Sequence, residues 1–133
     1  IELIQADAMA LPFSAGAFDV VTIGFGLRNV PDANQVLAEA YRVLKPGGQF
    51  ACLEMSQPTN PVVKAGWRAY FHVFPHLAQL FGGKAADYQY LQTTAQQFVS
   101  ADQLLQMMQA SGFHSCHYIK LNWGAGALHI GKK

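Results

Sequence analysis

The sequence predicts an α/β fold: a mostly parallel sheet, helices on both of its faces and an antiparallel hairpin at its C-terminal end. Three observations carry this. Phe18–Phe25 (FDVVTIGF) is a near-continuous apolar run, β-branched at Val20, Val21, Thr22 and Ile23, which is how a strand buried on both faces looks. A helical pattern and a second strand-like run, Gln49–Ser56 (QFACLEMS), follow it, and two strands joined by a helix form a right-handed crossover. Near the end, two strand-like runs stand only a short turn apart, as in a hairpin.

Taken in order, Ile1–Gln5 reads as a short strand, and Asp7–Gly16 as a loop marked by Pro12 and Gly16. Pro31-Asp32 opens the first helix; Val36, Leu37, Ala40 and Leu44 fall at helical spacing, and Lys45-Pro46-Gly47-Gly48 ends it. From Gln57 the character changes. Gln57–Ala86 is aromatic and amphipathic, and Asp87–Ala95 looks like another helix start. Ser100-Ala101-Asp102-Gln103 opens a further helix with the Ser and Gln of a capping box. Leu104, Leu105, Met107 and Met108 supply its apolar face, and Gly112 stops it. His114–Asn122 and Ala125–Gly131 are the hairpin strands around Trp123-Gly124. A length of 133 residues suits a single domain, with a strand–helix–strand part (1–56), a helical part (57–111) and a hairpin (112–133).

Composition narrows the function. Apolar residues make up 51% and charged residues 13%, about half the usual share of about 25%. The net charge of +1 provides no basic field to attract nucleic acid. Low charge with nine Phe suits an apolar ligand, a membrane surface or a partner, and equally a surface that is simply buried. Cys52 and Cys116 lie in strand-like runs without metal-ligand spacing and read as free thiols of a reducing compartment. With no signal peptide visible, the expected location is cytoplasmic, with peripheral contact at the inner membrane face. The chain opens in a strand-like run, Ile1-Glu2-Leu3-Ile4, which points to a truncated N-terminus. Val62–Phe81 is mostly apolar, yet Lys64, Arg68, His72, His76 and Pro75 interrupt it and argue against a spanning helix.

The motifs go further. Arg42-Val43-Leu44-Lys45-Pro46-Gly47-Gly48 resembles the helix-to-strand turn of class I methyltransferases. Extended through Glu54 and Ser56 (RVLKPGGQFACLEMS), it is similar to the signature of the UbiE-type ubiquinone/menaquinone C-methyltransferases. Gly26-Leu27-Arg28-Asn29-Val30, Asp87-x-x-Tyr90-Leu91 with Tyr88, and Ala127-Leu128-His129-Ile130-Gly131 resemble further hallmarks of that family, in the same order. The resemblance implies a partial Rossmann-like class I methyltransferase fold and S-adenosyl-L-methionine as cofactor. It also implies methyl transfer to a ring carbon of a prenylated benzoquinol or naphthoquinol.

Carried onto this sequence, the resemblance assigns cofactor contacts to Asp7, Ala8, Met9, Gly24, Phe25 and Gly26, since open α/β sheets bind ligands beyond the carboxyl ends of their strands. Asp7 can accept from an adenine amino group, or merely cap its own turn; the two glycines allow close backbone approach. Arg28 and Asn29 are the catalytic candidates, holding a quinol oxygen or an activating water, with an Arg28–Glu54 ion pair as the competing structural role. Glu54, His72, His76, Tyr88 and Tyr90 are the substrate-side candidates; His72 or His76 can act as base because imidazole titrates near neutrality. Lys64, Arg68, His72 and His76 recur at every fourth position beside Trp67, Tyr70, Phe71 and Phe74. That pattern suits a lid over a lipid-like tail, an interfacial helix, a dimer contact or ordinary core. Arg42 and Lys45–Gly48 are expected to shape the fold rather than the chemistry. The family's cofactor site begins with a strand and a glycine-rich turn, and none precedes Asp7 here. The expectation is weak cofactor binding and no activity by this chain alone, and an open strand edge that favours a homodimer or a swapped assembly. A non-catalytic, self-associating fragment and a methyltransferase for another small acceptor remain the alternatives.

Overall fold

The computed structural model describes residues 1–58, 60–69 and 98–133. They form one four-stranded sheet in the order β1-β2-β4-β3, where β1 is Phe18–Gly24, β2 Leu44–Met55, β3 His114–Leu121 and β4 Gly126–Lys132. The helices are α1 (Ala33–Val43), α2 (helical over 61–69) and α3 (Ala101–Ala110).

Local chemistry places the helix starts. Asp32 Oδ1 accepts from Asn34 N at 2.9 Å and Gln35 N at 3.3 Å, satisfying two of the amides that an α-helix leaves open at its first turn. Ser100 and Gln103 exchange side-chain-to-backbone hydrogen bonds of 2.9 and 3.3 Å, a complete capping box.

The sheet is mixed rather than mostly parallel. β1 and β2 pair in parallel, while β2 with β4 and β4 with β3 pair antiparallel. The reason is that the hairpin supplies two of the four described strands: β4 pairs directly with β2, and β3 forms the outer edge. Two of the three described helices lie on one face of the sheet. Phe50 and Cys52 of β2 share one core cluster with Leu37 and Ala40 of α1 and Leu104 and Met108 of α3, so α1 and α3 cover the same face. On the opposite face Val20 and Ile119 are half-exposed, so β1 is buried on one side only. α2 meets the sheet near the end of β2, where Trp67 packs on Met55 and Ala125.

Ile1–Gln5 is not a strand. Among the described residues no strand lies beside it, and its apolar Ile1 and Leu3 are exposed. An isolated segment cannot satisfy its backbone groups by pairing. β2 also begins earlier than expected, at Leu44, and its register with β1 jumps between the Phe18–Leu44 and Val20–Gln49 pairs. The Lys45–Gly48 turn fills that jump. A Cβ on Gly48 would stand 2.9 Å from Lys45 O and 3.0 Å from Asp19 O, so only glycine lets the strands approach there. Gly131 has the same function under α3, where a Cβ would meet Met108 Cε at 3.0 Å.

Arg42 ties the first loop to α1. Its guanidinium donates to Phe13 O at 2.8 Å and Leu11 O at 3.0 Å and pairs with Glu39 at 2.7 Å. Glu39 in turn accepts from Leu11 N at 2.8 Å. The Arg42 hydrogen bond, with help from Leu11 N, holds the Glu39 carboxyl down at about 2 against the desolvation that opposes it. The expected structural role of Arg42 and the Lys-Pro-Gly-Gly turn is thus visible in their contacts. No helix among the described residues is long and apolar enough to cross a membrane; of Val62–Phe81, the residues beyond 69 lie outside the description.

Candidate active site

The rim at the carboxyl ends of β1 and β2 gathers the polar groups. β1 passes its last ladder bond from Phe25 N to Leu53 O at 2.8 Å, and Phe25 then turns the chain with φ 54°. That turn aims the Phe25 carbonyl at a short 3₁₀ helix, Leu27–Asn29. Arg28 Nη1 donates to it at 2.8 Å and Asn29 Nδ2 at 3.3 Å. Arg28 also lies over the Phe25 ring, 5.9 Å from its centroid.

Arg28 Nη1 pairs with Glu54 Oε1 at 2.5 Å, with side chains only 8% and 1% exposed. Glu54 further accepts from Arg28 N at 3.3 Å and Met55 N at 2.8 Å. A buried charge is tolerable only when paired and hydrogen-bonded in this way. The ion pair weighed above as Arg28's structural role is therefore present. Asn29 and the Phe25 ring are the members of this group that reach the surface. Beneath it, burial and then the Glu54 charge push the Cys52 thiol up to about 12, so Cys52 is a protonated core residue.

The Asp7–Met9 loop approaches from the side. Asp7 Oδ1 accepts from Met9 N at 2.8 Å, so it does cap its own turn, and the side chain is exposed. Met9 O accepts from Gln35 Nε2 at 3.1 Å, and Ala8 and Met9 pack against the core cluster that includes Leu27. The structure thus joins Phe25, Arg28, Asn29 and Glu54 directly, and ties the Asp7 loop to the same neighbourhood through α1. His72, His76, Tyr88 and Tyr90 lie outside the described residues.

One element went unnoticed in the sequence. An apolar pocket of about 600 Å³ opens between the end of β2 (Met55, Pro58), one face of α2 (Val63, Gly66, Trp67) and the turn from Asn122 to Ala125. Trp123, held at φ 55°, is 86% exposed. The available signal was this large aromatic at a hairpin tip, where small polar residues are usual.

Comparison with solved structures defines the class. The fold matches an S-adenosylmethionine-dependent methyltransferase from Thermotoga maritima with TM-score 0.71 at 18% identity, over 100% of this chain and 64% of that one. A second, from Aquifex aeolicus, matches with TM-score 0.64 at 11% identity, over 98% and 54%. This is a partial class I S-adenosylmethionine-dependent methyltransferase fold. The family follows from sequence: the ubiE/COQ5 methyltransferase family matches residues 1–133, and the chain belongs to it. It is 56% identical over 133 residues to the demethylmenaquinone methyltransferase of Lactobacillus johnsonii, covering all of this chain and 54% of that protein. With the demethylmenaquinone methyltransferase of Lactiplantibacillus plantarum the identity is 49% over 132 residues, covering 98% and 56%. The chain therefore spans about half the length of these relatives.

Proposed function

We propose that this chain is the acceptor-side part of an S-adenosylmethionine-dependent enzyme that methylates a ring carbon of a demethylmenaquinol-type substrate. The supporting observation is the joint hold of Arg28 and Asn29 on the Phe25 carbonyl. It lies at the carboxyl end of a parallel strand, where open α/β sheets bind their ligands, in a chain matched end to end by this family.

The residues present fit part of the cofactor. A Cβ on Gly24 would meet nothing within 4 Å, so the backbone there is open to a ligand. The Asp7 carboxylate is exposed and Met9 half-buried beside it. Asp7, Ala8 and Met9 hold the adenine end, and Gly24, Phe25 and Gly26 flank the methionine end. When bound, S-adenosylmethionine supplies an electrophilic methyl group.

A quinol ring carbon becomes nucleophilic as its hydroxyl passes a proton to a base, for which His72 and His76 are the sequence's candidates, so the site must favour charge on that oxygen. Asn29, oriented by the Phe25 carbonyl, donates to it. Arg28, locked by Glu54, keeps the donors preorganised rather than adding free charge. Glu54 supports the pocket through this lock; His72, His76, Tyr88 and Tyr90 stay candidates for the substrate side on their sequence alone. The reaction takes place at the cytoplasmic face of the membrane that dissolves the acceptor.

The test is transfer of labelled methyl from S-adenosylmethionine to a short-tailed demethylmenaquinol. It is run with the chain alone and with the chain carrying, ahead of Ile1, the preceding segment of the Lactobacillus johnsonii relative. Label on the ring carbon with the extended chain is expected, and loss of most turnover in its Asn29→Ala form. An extended chain that binds the cofactor yet labels no quinol would overturn the reading.

A further inference from the structure

The apolar pocket is not used by the cofactor contacts or by Arg28 and Asn29. At about 600 Å³ it falls within the range of small-molecule sites, about 300–1,000 Å³. No charged side chain is among its described lining residues, and Asn122 brings the one amide side chain. Such a lining suits hydrocarbon. Gly66 gives α2 a notch, since a Cβ there would meet nothing within 4 Å. Trp123 stands at the rim with a left-handed φ of 55°. A bulky residue keeps that conformation only when its surroundings impose it, and such strain clusters at ligand clamps. Met55 connects the two regions: its amide donates to Glu54 Oε1 at 2.8 Å while the residue also lines the pocket.

We propose that this pocket holds the isoprenoid tail of the acceptor, with Trp123 closing over it and the ring lying on the Arg28–Glu54 side of Met55. The identity of the ligand rests on the quinol-methyltransferase reading above. Hydrophobic burial of the tail supplies the affinity.

The two tryptophans of the sequence, Trp67 and Trp123, both line the pocket, so their emission reports directly on occupancy. The experiment titrates the 133-residue chain with farnesol, an isoprenoid alcohol that carries no ring and needs no cofactor. A saturable blue shift is expected as Trp123 leaves water. Gly66→Leu fills the notch with a better helix former and is expected to weaken binding at least tenfold, while Gly66→Ala stays within about threefold of the parent. Circular dichroism verifies that both variants keep their helix content. No saturable shift, or equal farnesol affinity in the Gly66→Leu chain, would overturn the assignment. Farnesol binding without methyl transfer by the extended chain would leave the pocket standing and remove the catalytic reading. Methyl transfer without farnesol binding would remove the pocket alone.

Discussion

Replacing Arg28 by alanine leaves the Glu54 carboxylate, 1% exposed, without its guanidinium partner at 2.5 Å. Removing one partner of a buried ion pair costs about 3–5 kcal/mol, because the remaining charge is uncompensated. Two backbone donors survive the substitution, Arg28 N at 3.3 Å and Met55 N at 2.8 Å, which places the expected loss at the lower end, about 3 kcal/mol. With a urea dependence of about 1–3 kcal/mol/M, the unfolding midpoint moves down by about 1–3 M. An internal control is available. The Lys45–Asp19 pair has a similar 2.8 Å geometry but side chains 46% and 79% exposed, so Asp19→Ala is expected to cost about 0–1 kcal/mol. The double variant Arg28→Leu with Glu54→Leu buries no charge and should be more stable than Arg28→Ala. Urea unfolding followed by far-ultraviolet circular dichroism measures all three. An Arg28→Ala loss no larger than that of Asp19→Ala, or a double variant no better than the single one, would refute the view of Arg28–Glu54 as a buried lock.

Three further outcomes are expected. Glu39, held at about 2 chiefly by its Arg42 hydrogen bond, contributes stability that is present above its ordinary value of 4.5 and lost as pH falls from there through about 2. Acid unfolding of Glu39→Gln should therefore be flatter across that window than that of the parent chain. Cys52, raised to about 12 by burial and by Glu54, should ignore a disulfide reagent at pH 8 until the chain unfolds, whereas the half-buried Cys116 reacts first; thiol counting in native buffer and in denaturant separates the two. Gly48→Ala should cost about 1–3 kcal/mol as its Cβ is driven against Lys45 O and Asp19 O, while Gly24→Ala, with open space around it, should leave the urea midpoint nearly unchanged.

The same contacts explain how fold and site depend on each other. Glu54 lies on the face of β2 that α1 and α3 cover, in parity with Phe50 and Cys52. The core that makes the sheet stable also makes the pair dry, and dryness is what makes the lock strong. His129, paired with Cys52 across β2 and β4, donates from Nε2 to Ala101 O at 2.9 Å, and burial lowers its proton affinity. It belongs to the same packed layer.

What the sequence determined by itself is the set of features whose partners lie within a few residues. Asp32 capping α1, Ser100 and Gln103 boxing α3, the β-branched run of β1 and the turn between β3 and β4 are all of this kind. The family motifs at Arg28-Asn29 and at Arg42–Gly48 were legible too, because they are contiguous. Tertiary structure alone decided the rest. A strand-like run becomes a strand only beside a partner, so Ile1–Gln5 did not form one. Which strand receives β4, and which face receives α3, depends on the close approach allowed at Gly131 and on packing against Phe50. The Arg28–Glu54 pair spans 26 residues of sequence, and the apolar pocket is assembled from three separate segments. Neither periodicity nor spacing encodes such meetings, since burial and hydrogen bonding are settled only when distant segments exclude water together.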